Sequence, residues 1–239
     1  MDILSTVQPI TILLYHQVGH NPKSKTNLDC FCRADYFYSQ MAYLKESPFT
    51  VISLKDAYQY LFVKDNLSRP AIVLTFDDGD ASFYDAVFPV LQEFMFPSVL
   101  FPVSGLLGQK TEWFKHACSR MPIIAPEQLR ELHAFGVEIG SHSVDHPRLT
   151  QLNDRQIFRQ IYDSKNWLEE IISDEVMAFA YPHGDYNRKV VDAVKKSGYL
   201  CAVTCLAKAA NHAPNPFEIP RKYITYNDDL GRFVCKLSS

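Results

Sequence analysis

The chain has 239 residues, 47% of them hydrophobic and 21% charged, the balance of an ordinary globular protein with length for one large α/β domain or two small ones. A net charge of −3 with no Lys/Arg cluster leaves no electrostatic footprint for nucleic acid, and no apolar run approaches a transmembrane span. The six cysteines, Cys30, Cys32, Cys118, Cys201, Cys205 and Cys235, include no Cys-x-x-Cys pair. They are expected as reduced, mostly buried thiols, neither a disulfide framework nor a thiolate zinc site.

The N-terminus, Met1-Asp2, carries no basic residues before the first apolar run, and that run, Ile10 to Tyr15, is too short for a signal-peptide core. A cytoplasmic chain is expected, with association with a bacterial cell envelope as the alternative. The run reads as a buried strand ending on His16. Residues 20–34 are polar and loop-like. Asp35 to Leu44 has helical spacing, Val51-Ile52 is a short extended piece, and Ser53 caps a helix from Leu54 to Val63. Ala71 to Thr75 is then apolar on both faces, the mark of a strand buried on both sides in a parallel sheet, and it runs into Asp77, Asp78 and Gly79. Two acids at the carboxyl end of such a strand stand where α/β folds carry their chemistry; a helix cap beside a solvated acid is the plain alternative.

A helix follows from Phe83 to Phe94, then a strand from Val99 to Val103 and a long irregular stretch over residues 104–125. Trp113 within it is either a platform for stacking a sugar or a packing residue of the loop, and the 13% aromatic content admits both uses. Pro126 opens a helix ended by Gly136, and Val137 to Ile139 leads as a strand into a polar turn holding His142 and His146. Asn153 caps a helix to Ile172. A strand over Val176 to Tyr181, a helix from Asn187 to Lys196, and strands over Tyr199 to Thr204 and Glu218 to Ile224 complete the pattern. Strands and helices alternate with no linker or repeat, which implies parallel strands in a single domain spanning residues 1–239.

His142 and His146 are four apart, so on a helical turn both rings would share one face and could share a metal, with a strand-end carboxylate as third ligand. Thr75-Phe76-Asp77-Asp78-Gly79 and Ser141-His142-Ser143-Val144-Asp145-His146-Pro147 resemble the first two motifs of the polysaccharide deacetylases, the NodB-homology proteins or family-4 carbohydrate esterases. Ala180-Tyr181-Pro182-His183-Gly184 resembles the third, usually Arg-x-Pro-Tyr-Gly. The resemblance runs from about residue 10 to 225.

The resemblance implies a distorted (β/α)7-type barrel and a hydrolase that removes N-acetyl groups from an amino-sugar glycan. Asp78, His142 and His146 would hold one divalent metal, zinc first and cobalt, nickel or iron as alternatives. Asp77 would be the general base toward the attacking water, the His183 backbone N–H would hold the oxyanion, and Tyr181 and Pro182 would border the substrate. The third motif's Arg is replaced by Ala180, and Arg221, on a late strand, either supplies the group that orients the base or forms a structural ion pair. The Leu-x-His of the last motif is absent near the C-terminus but occurs as Leu14-Tyr15-His16. A subgroup acting on poly-N-acetylglucosamine shares this permuted order, so His16 is the candidate acid, ahead of His212 and the His183 ring. The rival substrates are lipid- or nucleotide-linked sugars, deacetylated or deformylated. The rival classes are a non-catalytic glycan-binding module and a structural-zinc protein.

Overall fold

Runs rich in apolar residues, bounded by turn formers, become the parallel strands, two to eight residues long, of one α/β domain. The computed structural model describes residues 8–22, 28–63, 67–113 and 120–238; Met1, Asp2, Cys118 and part of the 104–125 stretch lie outside them. In chain order the elements are β1 (Ile10–Tyr15), β2 (Gln17–Gly19), β3 (Phe31–Arg33), α1 (Ala34–Glu46), β4 (Thr50–Val51), α2 (Leu54–Phe62), β5 (Ala71–Asp78), α3 (Phe88–Phe94), β6 (Val99–Pro102), α4 (Pro126–Ala134), β7 (Glu138–Ile139), α5 (Asp154–Phe158), α6 (Ser164–Ile172), β8 (Ala178–Ala180), α7 (Arg188–Lys196), β9 (Cys201–Val203), β10 (Lys222–Tyr223) and α8 (Leu230–Ser238).

The main sheet has the order β10-β1-β5-β6-β7, with β4 added to β5, and β8 pairs with β9. All these pairings are parallel. Two single bridges join the pieces: Ser141, just past β7, pairs with Phe179 of β8, and Val203 of β9 pairs with Ile219, just before β10. The pairings therefore run round in a ring of seven strands, β1, β5, β6, β7, β8, β9 and β10, thin at two seams. This is the distorted barrel, with the first and last strands side by side.

Side chains alternate across this ring with period two. Ile10, Ile12, Val73, Val99, Phe101, Ala178, Ala180, Cys201, Val203 and Ile219 form one apolar cluster, which fills the barrel. Leu13, Tyr15, Ile72, Leu74, Phe76, Leu100, Ile139, Phe179, Tyr181 and Ala202 belong to the other, packed under the helices. Helix α2 starts where expected, its Ser53 side chain accepting from the Asp56 N–H at 2.9 Å, and Leu54 and Ala57 join the barrel cluster.

Several expectations are corrected. The helices over 83–94 and 153–172 each contain a five-residue π-helical segment, Phe83–Val87 and Arg159–Asp163. The 20–34 stretch contributes β3, which pairs with β2 just before it in a small ribbon. Helix α8 was not anticipated from the sequence; its Phe233 and Leu237 are buried, and Phe233 meets Tyr43 of α1 edge-on. The five cysteines among the described residues are free, but only Cys32 and Cys201 are buried; Cys30 and Cys205 are half-buried and Cys235 is exposed, so burial is less complete than expected. Among the described residues no helix is long and apolar enough to cross a membrane.

Candidate metal centre and active site

The carboxyl ends of β1, β5, β7 and β8 deliver the predicted residues to one cavity of about 200 Å³. His16, Asp77, Asp78, Trp113, His142, His146 and His183 line it, together with Cys30, Cys205 and Tyr223. Asp77 continues the inward register of Val73 and Thr75. Asp78 leaves the strand with φ 71°, and Gly79 follows at φ 73°, a turn in which a Cβ on Gly79 would stand 2.8 Å from the Pro102 Cβ. Only glycine fits there.

His142 and His146 do not lie on a helix. They sit in the irregular turn after β7, in which Ser143 and His146 both adopt positive φ. The turn nonetheless brings the rings together, with centroids 4.8 Å apart. Each Nε2 lies 3.5 Å from Asp78 Oδ1, and the three ligand atoms all fall within 4.8 Å of one another. His142 Nδ1 is 2.8 Å from the Ala180 carbonyl. A carbonyl only accepts, so Nδ1 carries the proton and Nε2 keeps its lone pair for a ligand.

Asp78 Oδ1 and His146 Nδ1 are buried with no hydrogen-bond partner among the described residues, an expensive condition unless something else satisfies them. Burial, followed by the charges of Asp77 and Asp80, pushes the Asp78 carboxyl well above the usual range. Burial holds His142 low and His146 well below the ordinary histidine value, helped at His146 by the charges of His142, His183 and His16. Two neutral imidazoles and a carboxylate starved of counter-charge suit a divalent cation, and the N, N, O donor set suits a catalytic site with open positions.

Asp77 is paired with Arg221, which donates from Nη1 to Oδ1 and from Nη2 to Oδ2, both at 2.7 Å. The same Nη1 reaches Thr75 Oγ1 at 3.0 Å, and Nε donates to the Thr204 carbonyl. Arg221 is 0% exposed and enters the barrel two residues after the inward-facing Ile219. Burial raises the Asp77 pKa, but Arg221 and then His142 outweigh it, and the net shift is downward. Arg221 thus forms a buried ion pair with Asp77 from another strand, while Ala180 supplies no such group.

His16 stacks on Tyr223, with centroids 5.5 Å apart and 19° between planes. Its Nδ1 has no partner among the described residues, and burial lowers its pKa to about 4 against the opposing charge of Asp77. His212, the rival acid, sits on an exposed 3₁₀ turn and does not line the cavity. The rings of Trp113 and His183 stand 4.1 and 4.3 Å from that of His146. Trp113 also rests on the Val103, Leu106 and Ile123 cluster, so it both packs its loop and borders the site. His183 has φ 58° and forms part of the exposed rim.

Two expectations fail here. Tyr181 is fully buried, its hydroxyl bonded to the Phe217 carbonyl at 3.0 Å and its ring stacked on Tyr186; Pro182 is buried beside it. Neither lines the cavity, because Tyr181 follows the inward-facing Ala180 and so faces the helices. Tyr223, by contrast, was not foreseen, although it stands two residues after Arg221 in the same strand register. Its hydroxyl meets Cys205 Sγ at 3.7 Å. Nothing in the sequence marks Cys30 or Cys205 as cavity residues.

The sequence profile described as polysaccharide deacetylase matches residues 64–202, more than half of the chain. This protein belongs to the polysaccharide deacetylase family. It is therefore a hydrolase of the carbohydrate esterase type. YxkH of Bacillus subtilis (strain 168) is 25% identical over 217 residues, which cover 89% of this chain and 70% of that protein. The poly-beta-1,6-N-acetyl-D-glucosamine N-deacetylase of Staphylococcus aureus (strain MRSA252) is 24% identical over 209 residues, 84% of this chain and 69% of that one. Among solved structures, the Streptococcus pyogenes deacetylase PplD, determined in complex with acetate, superposes with a TM-score of 0.84 at 24% identity, covering 97% of this chain and 99% of the other. That likeness establishes the shared fold.

Proposed function

We propose that this deacetylase removes N-acetyl groups from a β-1,6-linked N-acetylglucosamine polymer, using a divalent metal held by Asp78, His142 and His146. The observation that carries the reading is the unsatisfied Asp78 oxygen facing two imidazole Nε2 atoms, with the Arg221-held Asp77 carboxylate next to it in the chain. The substrate class rests on the Staphylococcus aureus relative. Zinc suits the donor set best, with cobalt, nickel or iron(II) compatible.

When bound, such a cation supplies Lewis acidity to the attacking water and the acyl oxygen alike. The remaining work falls to the chain. Arg221 locks the Asp77 carboxylate in one orientation, and the lone pairs not used by the guanidinium accept the proton of the attacking water. His16, on the neighbouring strand end, donates to the departing amine. Burial lowers its pKa to about 4, so the resting ring is neutral; as negative charge develops on the substrate it takes up the proton that Asp77 accepted from the water and passes it to the amine. The His183 backbone N–H holds the oxyanion, and Trp113 offers a ring to the sugar.

The test is acetate release by metal-stripped protein from a β-1,6-linked N-acetylglucosamine oligomer and from a chitooligosaccharide, with and without zinc or cobalt. Metal-dependent release from the β-1,6 oligomer is expected. Silence on both with metal bound would shift the substrate to lipid- or nucleotide-linked sugars, and a protein that binds no metal would overturn the site itself. His16→Ala is expected to lower kcat by about 10²–10⁴-fold while zinc stoichiometry stays at the parent value; a kcat within tenfold of the parent removes His16 from the acid role.

A further inference from the structure

We propose that Gln160 is a positioning residue for the metal centre, the strut that holds the His142–His146 turn in its ligating shape. The inference rests on the reading that Asp78, His142 and His146 hold a metal. Gln160 lies in the π-helical segment Arg159–Asp163, which splits α5 from α6, and is 7% exposed. π-Turns of this kind sit preferentially at functional sites.

The polar groups of the turn can be accounted for one by one. The Ser143 and Val144 carbonyls accept from the N–H groups of Ser104 and Gly105, at 3.1 and 2.9 Å. The His146 N–H donates to Ser143 Oγ at 3.0 Å. The Val144 and Asp145 N–H groups both donate to Gln160 Oε1, at 3.1 and 2.9 Å, and Gln160 Nε2 donates to Asp145 Oδ2 at 2.8 Å. One amide thus satisfies both N–H groups and a carboxylate oxygen of the two residues between Ser143 and His146. Its orientation is unambiguous, since the reverse would set an NH₂ against two N–H groups and an oxygen against a carboxylate.

The turn needs this support. Ser143 and His146 stand at φ 67° and 59°, a region that non-glycine residues hold only when their surroundings over-determine it. On the other side the fit is already tight, because a Cβ on Gly105 would come within 2.6 Å of the Val144 carbonyl oxygen. The turn is therefore clamped between the Ser104–Gly105 backbone and a single side chain. Loosening that side chain lets the turn relax and moves His146 Nε2 relative to Asp78 and His142. A glutamate at position 160 keeps the acceptor for both N–H groups but faces Asp145 carboxylate to carboxylate, whereas a second change, Asp145→Asn, restores a donor between them.

The experiment measures zinc affinity by competition with a chromophoric chelator, the visible spectrum of the cobalt-loaded protein, and the melting of the metal-free protein. The variants are Gln160→Glu, Gln160→Ala and the double variant Gln160→Glu/Asp145→Asn, with His142→Ala as control. Gln160→Glu and Gln160→Ala are expected to weaken zinc binding by about ten- to a hundredfold, as loss of a group that orients a metal ligand commonly does, and to alter the cobalt bands. The double variant is expected to recover most of the loss. Parent-like zinc affinity in Gln160→Glu, or a double variant no better than the single one, overturns the proposal and leaves Gln160 a brace of the fold, visible only in melting. Should Gln160→Ala not fold, the comparison of Gln160→Glu with the double variant still decides. A parent protein that binds no zinc, or His142→Ala binding it as tightly as the parent, overturns the metal site instead.

Discussion

Asp77→Asn is expected to lower acetate release by about 10²–10⁴-fold, the usual contribution of a general base, and to melt well below the parent while still binding zinc. The double effect follows from Arg221. Its guanidinium is fully buried and gives two of its hydrogen bonds to the Asp77 carboxylate. Asparagine removes the only negative charge in that pair and turns an NH₂ toward donors that have no use for it. Breaking one side of a buried ion pair costs about 3–5 kcal/mol, or roughly 6–20 °C in a chain of this size. The Thr75 hydroxyl and Thr204 carbonyl still engage Arg221, which favours the lower part of that range. Zinc binding survives because Asp78, not Asp77, faces the imidazoles. Acetate assay, thermal melting and zinc stoichiometry on one preparation check the three parts, and activity within tenfold of the parent would take Asp77 out of the base role.

The same pair shows where sequence reading works and where it stops. Asp77, Asp78, His142 and His146 were legible because strand ends and motif spacing are local properties. Arg221 was legible only as one of two readings, since its partner lies 144 residues away and only closure of the barrel brings them together. Period two would have sorted Tyr181 and Tyr223 correctly: each strand position fixes a side, and Ala180 and Arg221 both face inward. Helical spacing misled at His142 and His146, where a turn with two left-handed residues produces the proximity that a helix would have given. The π-segments left no trace in the apolar periodicity, because one extra residue per turn shifts a stripe without erasing it. Helix α8 was missed because its buried contribution comes mainly from Phe233 and Leu237, too few positions to announce a face.

Zinc is expected to stabilise the metal-free protein, and the gain is expected to grow as pH rises from 5 to 8. The sign comes from Asp78. A carboxyl whose folded pKa is raised makes the folded chain bind more protons than the unfolded one between the ordinary carboxylate value and the raised one, so in that window metal-free stability falls as pH rises. A divalent cation supplies the missing counter-charge and removes the penalty where it is largest. The histidine ligands act in the opposite sense: burial lowers both, so they are neutral in the fold, and metal-free stability is lost as pH falls below about 6.5, where the unfolded chain takes up protons. Because those rings carry no second proton in the folded state near neutrality, zinc competes with the proton on Asp78 rather than with one on either Nε2. At about a hundred times its Kd, zinc adds about 2.7 kcal/mol, roughly 5–10 °C. Melting curves with and without zinc across this pH range check the trend, with proton release measured by calorimetry in buffers of different ionisation enthalpy. A gain that is flat or falls with pH would place the proton competition elsewhere than Asp78, and a His142→Ala protein responding to zinc as strongly as the parent would place the zinc elsewhere.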